Sequence, residues 1–266
     1  MSVASHYDAS AGIYDRVFGR VSREFVPTLL RAARLAPGMR VLDIATGTGN
    51  VAEAALAVVG PTGRVAAADL SPAMLERARE RLGGRANLSF SVEDGQALGF
   101  RDRGFDAVLC GLALMHFPDP AKGLAELRRV LREGGRAAVS VPTTSERSFS
   151  FRVLTAIGRH VPSRAAEAAQ NFLLGDPARL RALFEGAGFR DVETLSEARR
   201  YAFPSFDAYF EHFGRGAGGI GAEYAALPEE ARRAVREDVR RGLEGDQDTG
   251  GPVEVPVEFL FGSGCR

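Results

Sequence analysis

The chain has 266 residues, enough to bury one full core or a core domain with a smaller covering portion, and 45% of them are hydrophobic. Its 34 basic residues balance 34 acidic ones, so no polyanionic partner is indicated and nucleic acid is disfavoured. Two cysteines, Cys110 and Cys265, indicate neither a disulfide framework nor a cysteine-rich metal site. The first residues, Met1 to Asp8, lack a basic start and an apolar core, and no apolar run reaches membrane-spanning length, so a cytoplasmic protein without a membrane span is expected.

From residue 40 to 142, short apolar runs alternate with helical patterns, the rhythm of a parallel sheet with crossover helices. Five strands are expected, at Arg40 to Ala45, Arg64 to Asp69, Leu88 to Val92, Phe105 to Cys110 and Arg136 to Val141, mostly apolar as in strands covered on both faces. Ser71 before Pro72, Asp119 before Pro120 and Asp176 before Pro177 each read as a helix cap with proline at the first turn. Leu124, Leu127 and Leu131 keep helical spacing, with Gly134-Gly135 expected to end that helix. Val153, Leu154, Ile157 and Val161 then form an amphipathic stripe with no strand directly after it, which marks a helical insertion. Two further strands are expected at Asp191 to Phe203 and Pro252 to Phe261, and between them a second insertion carries an aromatic cluster, a glycine-rich loop from Gly214 to Gly221 and an arginine-studded helix.

The turn Ala45-Thr46-Gly47-Thr48-Gly49-Asn50 follows the first strand and opens a helix, an arrangement that lets backbone amides approach a ligand. Gly47-x-Gly49-x-x-Ala52 also satisfies the dinucleotide fingerprint, so an NAD(P)-dependent oxidoreductase using the same loop is the competing reading. Three acids bear on the choice. Asp43 can order the loop and reach a cationic amino group, from which a pyrophosphate would gain little. Asp69 ends the next strand where an acid takes ribose hydroxyls in either cofactor. Asp94 ends the third, where a carboxylate can accept from an adenine amino group.

With these residues the sequence resembles the class I S-adenosylmethionine-dependent methyltransferases, in particular the small-molecule branch that includes the ubiquinone and menaquinone C-methyltransferases. The resemblance runs over residues 39 to 142. It is carried by the stretches Val41 to Gly49, Ala68 to Leu75, Glu93 to Leu98, Phe105 to Val108 and Leu127 to Gly135. It implies an α/β fold: a seven-stranded, Rossmann-like, mostly parallel sheet with helices on both faces and helical insertions after strands 5 and 6. It also implies S-adenosyl-L-methionine as cofactor. Asp43, Gly47 and Gly49 would surround the methionine part, Asp69 the ribose, Leu70 and Met74 the purine face, and Asp94 and Gly95 the adenine edge. Thr46 and Asn50 of the turn and Cys110 at the end of the fourth strand complete the expected contacts. Tyr14, with Tyr7 second, would close over the cofactor from the amino-terminal segment. Gly95 departs from the usual alanine, and Thr46 from the frequent glycine or cysteine.

The expected organisation is an amino-terminal closing segment (1–38), a cofactor-binding core (39–142) and a carboxyl-terminal half (143–266) that covers the substrate. His116 follows the fourth strand at the ligand-binding edge of the sheet, where it is the candidate general base or a capping, structural histidine. No metal site is expected, and the partner is a small-molecule acceptor, with a homodimer left open. Phe203, Phe206, Tyr209, Phe210 and Phe213 read either as stacking partners for an aromatic substrate or as helical core. The arginines at 232, 233, 236, 240 and 241, interleaved with acids, read as a solvated helix face, and Asp106 as structural. A short-chain oxidoreductase would need a Tyr-x-x-x-Lys pair, and Lys122, the only lysine, has no such tyrosine.

Overall fold

A computed structural model describes residues 21–215, 218–244 and 250–266. Tyr7 and Tyr14, and with them most of the proposed closing segment, lie outside the described residues, as do the side chains of Glu167 and His212. After helix α1 (Val26–Ala32) come β1 (Arg40–Ile44), α2 (Asn50–Val59), β2 (Arg64–Asp69), α3 (Pro72–Leu82), β3 (Leu88–Val92) and β4 (Phe105–Gly111). A 3₁₀ turn (Leu114–His116), α4 (Pro120–Val130) and β5 (Leu131–Pro142) follow. The first insertion holds α5 (Phe151–His160) and α6 (Ala165–Gln170), and α7 (Pro177–Gly186) leads into β6 (Arg190–Phe203). The second insertion is α8 (Phe206–Gly214), α9 (Gly218–Ala225) and α10 (Glu229–Glu244), before β7 (Val253–Cys265).

The seven strands form one sheet in the order β3-β2-β1-β4-β5-β7-β6. All pairings are parallel except those of β7, which runs antiparallel between β5 and β6. The order reverses between β1 and β4, so the loops at their carboxyl ends diverge and leave the crevice in which open α/β sheets bind ligands. One face is covered by α1, α2 and the second insertion, with Val41, Leu109 and Phe259 at its centre. The other is covered by α4 and α7 over Leu42, Val108 and Val139.

All three expected caps form: Ser71 Oγ accepts from the Met74 amide, Asp119 Oδ1 from Lys122 and Asp176 Oδ1 from Arg179. The Gly134-Gly135 pair does something else. Helix α4 already ends at Val130, and Leu131 begins β5 opposite Phe105, before the register jumps to Ala107 opposite Arg136. The two glycines therefore sit in a bulge, where Gly134 has φ +72° and a side chain on Gly135 would press on the Asp106 carbonyl. Strand β3 at the edge is only half covered rather than buried on both faces. Strand β7 runs on to Cys265, beyond the expected Phe261, and the glycine-rich stretch is in part the helix α9.

The second insertion owes its shape to its aromatics. Phe206, Tyr209, Phe210 and Phe213 are all buried, and the Tyr209 hydroxyl donates to the Phe149 carbonyl at 2.6 Å. These rings are helical core. Arg233, Arg236 and Arg241 of α10 pair with Glu229, Asp207 and Glu237 on a solvated face, whereas the Arg240–Glu244 pair is largely buried and Arg232 donates to the Ala225 carbonyl.

Candidate cofactor site at the carboxyl edge

The turn after β1 is made by three residues in the left-handed region, Ala45 at φ +54°, Gly47 at +54° and Gly49 at +88°. At Gly49 the glycine is required twice over, because a Cβ would also stand 2.6 Å from Leu82 Cδ1 of α3. At Gly47 nothing lies within 4 Å of such an atom, so the backbone there faces open space. Side chains pin the turn from three directions. The Thr46 hydroxyl donates to Asp43 Oδ2 at 2.6 Å, and the Gly47 amide donates to Asp69 Oδ2 at 2.8 Å. Arg81 of α3 donates to the Thr48 carbonyl and pairs with Glu53 of α2 at 2.9 Å. Asn50, the first residue of α2, accepts from Arg23 at 2.8 Å.

Asp43 is the electrostatic centre of this arrangement. It is completely buried, and its second oxygen, Oδ1, has no hydrogen-bond partner. Burial raises its carboxyl pKa to about 7, helped by the nearby charge of Asp69 and opposed by the Thr46 hydroxyl. An orphaned carboxylate oxygen at the foot of this turn is a seat for a cationic group. Asp69, half-buried at the end of β2, receives the amides of Gly47 and Ser71, one on each oxygen.

The third acid lies on the same edge. The Glu93 amide donates to the Asp69 carbonyl at 3.0 Å, which ties the Asp94 turn to the end of β2. Asp94 is exposed and caps its own turn, accepting from the Gln96 amide at 2.9 Å. Gly95 is buried because Phe117 lies on it; a Cβ there would be 2.3 Å from Phe117 Cζ, and one on Gly123 would be 2.4 Å from Phe117 Cδ2. The ring thus occupies the space that the family's usual alanine would need. Nothing in the spacing alone linked Phe117 to Gly95; the glycine in place of alanine was its one trace.

The remaining expected contacts divide. Leu70 is 47% exposed next to Asp69, whereas Met74, in the first turn of α3, is buried. Cys110 is enclosed with Leu42, Ile44 and Leu114, and burial lifts its thiol pKa to about 12, so it is a neutral apolar group. His116 ends the 3₁₀ turn after β4, half-buried, its amide donating to the Ala113 carbonyl at 2.8 Å. His160 pairs with Asp238 at 3.3 Å between the two insertions. Asp106 lies at the opposite edge of the sheet, accepting from the Arg40 amide at 2.6 Å and from Arg132, which hold its carboxyl below the usual range against the cost of burial.

Comparison with known proteins agrees with this geometry. The methyltransferase domain family matches residues 42–139, which span β1 to β5. The ubiquinone/menaquinone biosynthesis C-methyltransferase UbiE of Cupriavidus taiwanensis is 33% identical over 204 residues, 72% of this chain and 83% of that protein. An uncharacterised protein of Mycobacterium tuberculosis is 33% identical over 230 residues, covering 85% of this chain and 81% of its own. Among solved structures, a putative methyltransferase of Bacillus halodurans shares the fold, with a TM-score of 0.59 at 21% identity over 91% of this chain and 98% of that one. The nicotinamide alternative gains no support from these relatives. With the glycine turn and its acids in place, the chain belongs to the class I S-adenosylmethionine-dependent methyltransferases, enzymes of class 2.1.1 whose cofactor is S-adenosyl-L-methionine.

Proposed function

We propose that this enzyme methylates a small organic acceptor, at oxygen, nitrogen or carbon of a quinone, polyketide or other secondary metabolite, in the cytoplasm and by in-line displacement. The cofactor supplies an electrophilic methyl group on a sulfonium centre. The residues of this chain have to bind, align and keep water out, which is the larger part of such a reaction.

The observation that carries this reading is the buried, orphaned Oδ1 of Asp43 at the glycine turn. It suits the ammonium of an amino-acid moiety and would repel a pyrophosphate. In this reading Asp43, Thr46, Gly47, Gly49 and Asn50 hold the methionine part, and Asp69 takes the ribose hydroxyls. Leu70 and Met74 flank the purine, Asp94 and Gly95 meet its edge, and Cys110 forms the apolar floor. Tyr14 closes from the amino-terminal segment. Residues 1–38 act as the closing segment, 39–142 as the cofactor core and 143–266 as the acceptor cover. His116 serves as general base for an oxygen or nitrogen acceptor; an activated carbon needs positioning alone.

Calorimetric titration with S-adenosylhomocysteine and, separately, NADH tests the reading. S-adenosylhomocysteine alone should bind, and Asp69→Ala should weaken it about tenfold or more, as expected for loss of charge-assisted hydrogen bonds. Binding of NADH alone would overturn it.

A further inference from the structure

A second feature of the carboxyl edge lies outside the cofactor turn. Strand β5 ends at Pro142, opposite Phe259, while β6 and β7 continue past it as a two-stranded ribbon from Ala198 opposite Glu258 to Phe203 opposite Val253. The ribbon, the loop after β5 and the end of α10 line an open cavity of about 740 Å³. Four arginines line it: Arg147, Arg152, Arg199 and Arg200. Three of them are neutralised, Arg147 by Glu258 at 3.0 Å, Arg200 by Glu254 at 3.0 Å and Arg199 by Glu197 at 2.7 Å.

Arg152 is different. It is only 8% exposed, and its guanidinium donates to two backbone carbonyls, those of Ser148 at 3.2 Å and of Glu146. Among the described residues no carboxylate forms an ion pair with it. The Glu146 carboxylate, also on the cavity wall, acts on it from beyond ion-pair distance and offsets only part of the cost of withdrawing a guanidinium from water, so burial still holds its pKa below the usual arginine range. Its position adds to that cost, because it is the second residue of α5, where the helix dipole favours anions over cations. The same two features together attract an anion, and the planar guanidinium fork suits a carboxylate or a phosphate.

We propose that this cavity receives an oxyanion of the methyl acceptor, a carboxylate or phosphate group held by Arg152. The acceptor's identity as the occupant rests on the methyl-transfer reading, since the cavity opens on the edge of the sheet that carries the cofactor turn. Arg147, Arg199 and Arg200 are each met by a direct ion pair, whereas Glu146 acts on Arg152 only from a distance, so among the described residues of the wall Arg152 is the arginine left to pair with an incoming anion.

The test is calorimetric titration of the full chain, with and without S-adenosylhomocysteine, using benzoate, phenyl phosphate and the uncharged isostere benzamide. At least one anion should bind where benzamide does not, and the tighter of the two identifies the acceptor's charged group. Arg152→Lys should weaken that anion about ten- to a hundredfold, the range of a charged hydrogen-bond pair, and Arg152→Gln should abolish its binding, while both keep their affinity for S-adenosylhomocysteine. Should Arg152→Gln fail to fold, the wild-type comparison and Arg152→Lys decide. Failure of both anions to bind the wild-type chain, equal binding of benzamide, or an unchanged affinity in Arg152→Lys would overturn the proposal. Loss of S-adenosylhomocysteine binding by the wild-type chain would instead overturn the methyl-transfer reading, and the anion arm without that ligand reports on the cavity separately.

Discussion

Asp43 ties the chemistry of the cofactor turn to pH. Its folded-state pKa of about 7 lies above the ordinary aspartate value of 3.8, so between these values the native chain holds a proton that the unfolded chain has released. The contribution to stability is fully present below the unfolded value and is lost as pH rises through the folded one, at about 1.4 kcal/mol per unit at most. Urea denaturation of the ligand-free protein should therefore show the wild type losing stability from pH 5 to 8 relative to Asp43→Asn. Binding should follow the opposite course, because the ammonium of S-adenosylhomocysteine needs the carboxylate. Affinity should rise with pH up to about 7, approaching tenfold per unit, and the dependence should flatten in Asp43→Asn. A flat wild-type profile would remove Asp43 from the binding site.

Gly95 and Phe117 form a coupled pair at the same scale. Gly95→Ala should destabilise the protein by about 1–3 kcal/mol through overpacking, and Phe117→Leu in the same chain should recover much of the loss. Additive effects in chemical denaturation would mean that the ring and the glycine do not constrain each other. The glycine turn itself was legible in the sequence because glycines and acids at strand ends follow from local backbone and charge requirements. The Phe117 contact was not, since residues 22 apart meet only once β3 and β4 are laid in one sheet.

Among the elements, those with chemical punctuation were the readable ones. Ser71, Asp119 and Asp176 mark helix starts because each supplies an oxygen to an otherwise unpaired amide, a requirement settled within three residues. Gly134 and Gly135 misled because a glycine pair suits a helix stop and a strand bulge equally well, and the choice between them is made by the register against β4. The aromatic helix α8 was ambiguous for a similar reason, as helical spacing shows that a face is apolar without showing what covers it. Tyr209 now measures how firmly that helix holds the loop after β5. Tyr209→Phe leaves the Phe149 carbonyl without its donor and should cost about 1–3 kcal/mol in thermal or urea unfolding, while binding of S-adenosylhomocysteine stays within a few-fold of wild type.

For the whole molecule, the central strands β1, β4 and β5 are paired on both sides and covered on both faces, while β6 has one neighbour and a largely exposed surface. Amide hydrogen exchange should show the slowest exchange in the central three and early exchange along β6, with S-adenosylhomocysteine slowing the turns after β1 and β2 further. Exchange in β1 as fast as in β6 would contradict this order. The parallel half of the sheet could be anticipated from the alternation of strands and helices. The place of β7 could not, because a strand of alternating Val and Glu indicates a partly covered surface and not which two neighbours it joins.

That place has a consequence for how the chain is made. Among the described residues β6 pairs as a strand with β7 alone, and β7 follows it by fifty residues. On the ribosome, β1 to β5 can pair as they emerge, but the outer edge of β5 stays open and β6 has nowhere to dock until residues 253–265 are released. For that interval the nascent enzyme is a finished parallel half-sheet with an unpaired apolar edge, the kind of surface that chaperones cover and that otherwise seeds aggregation.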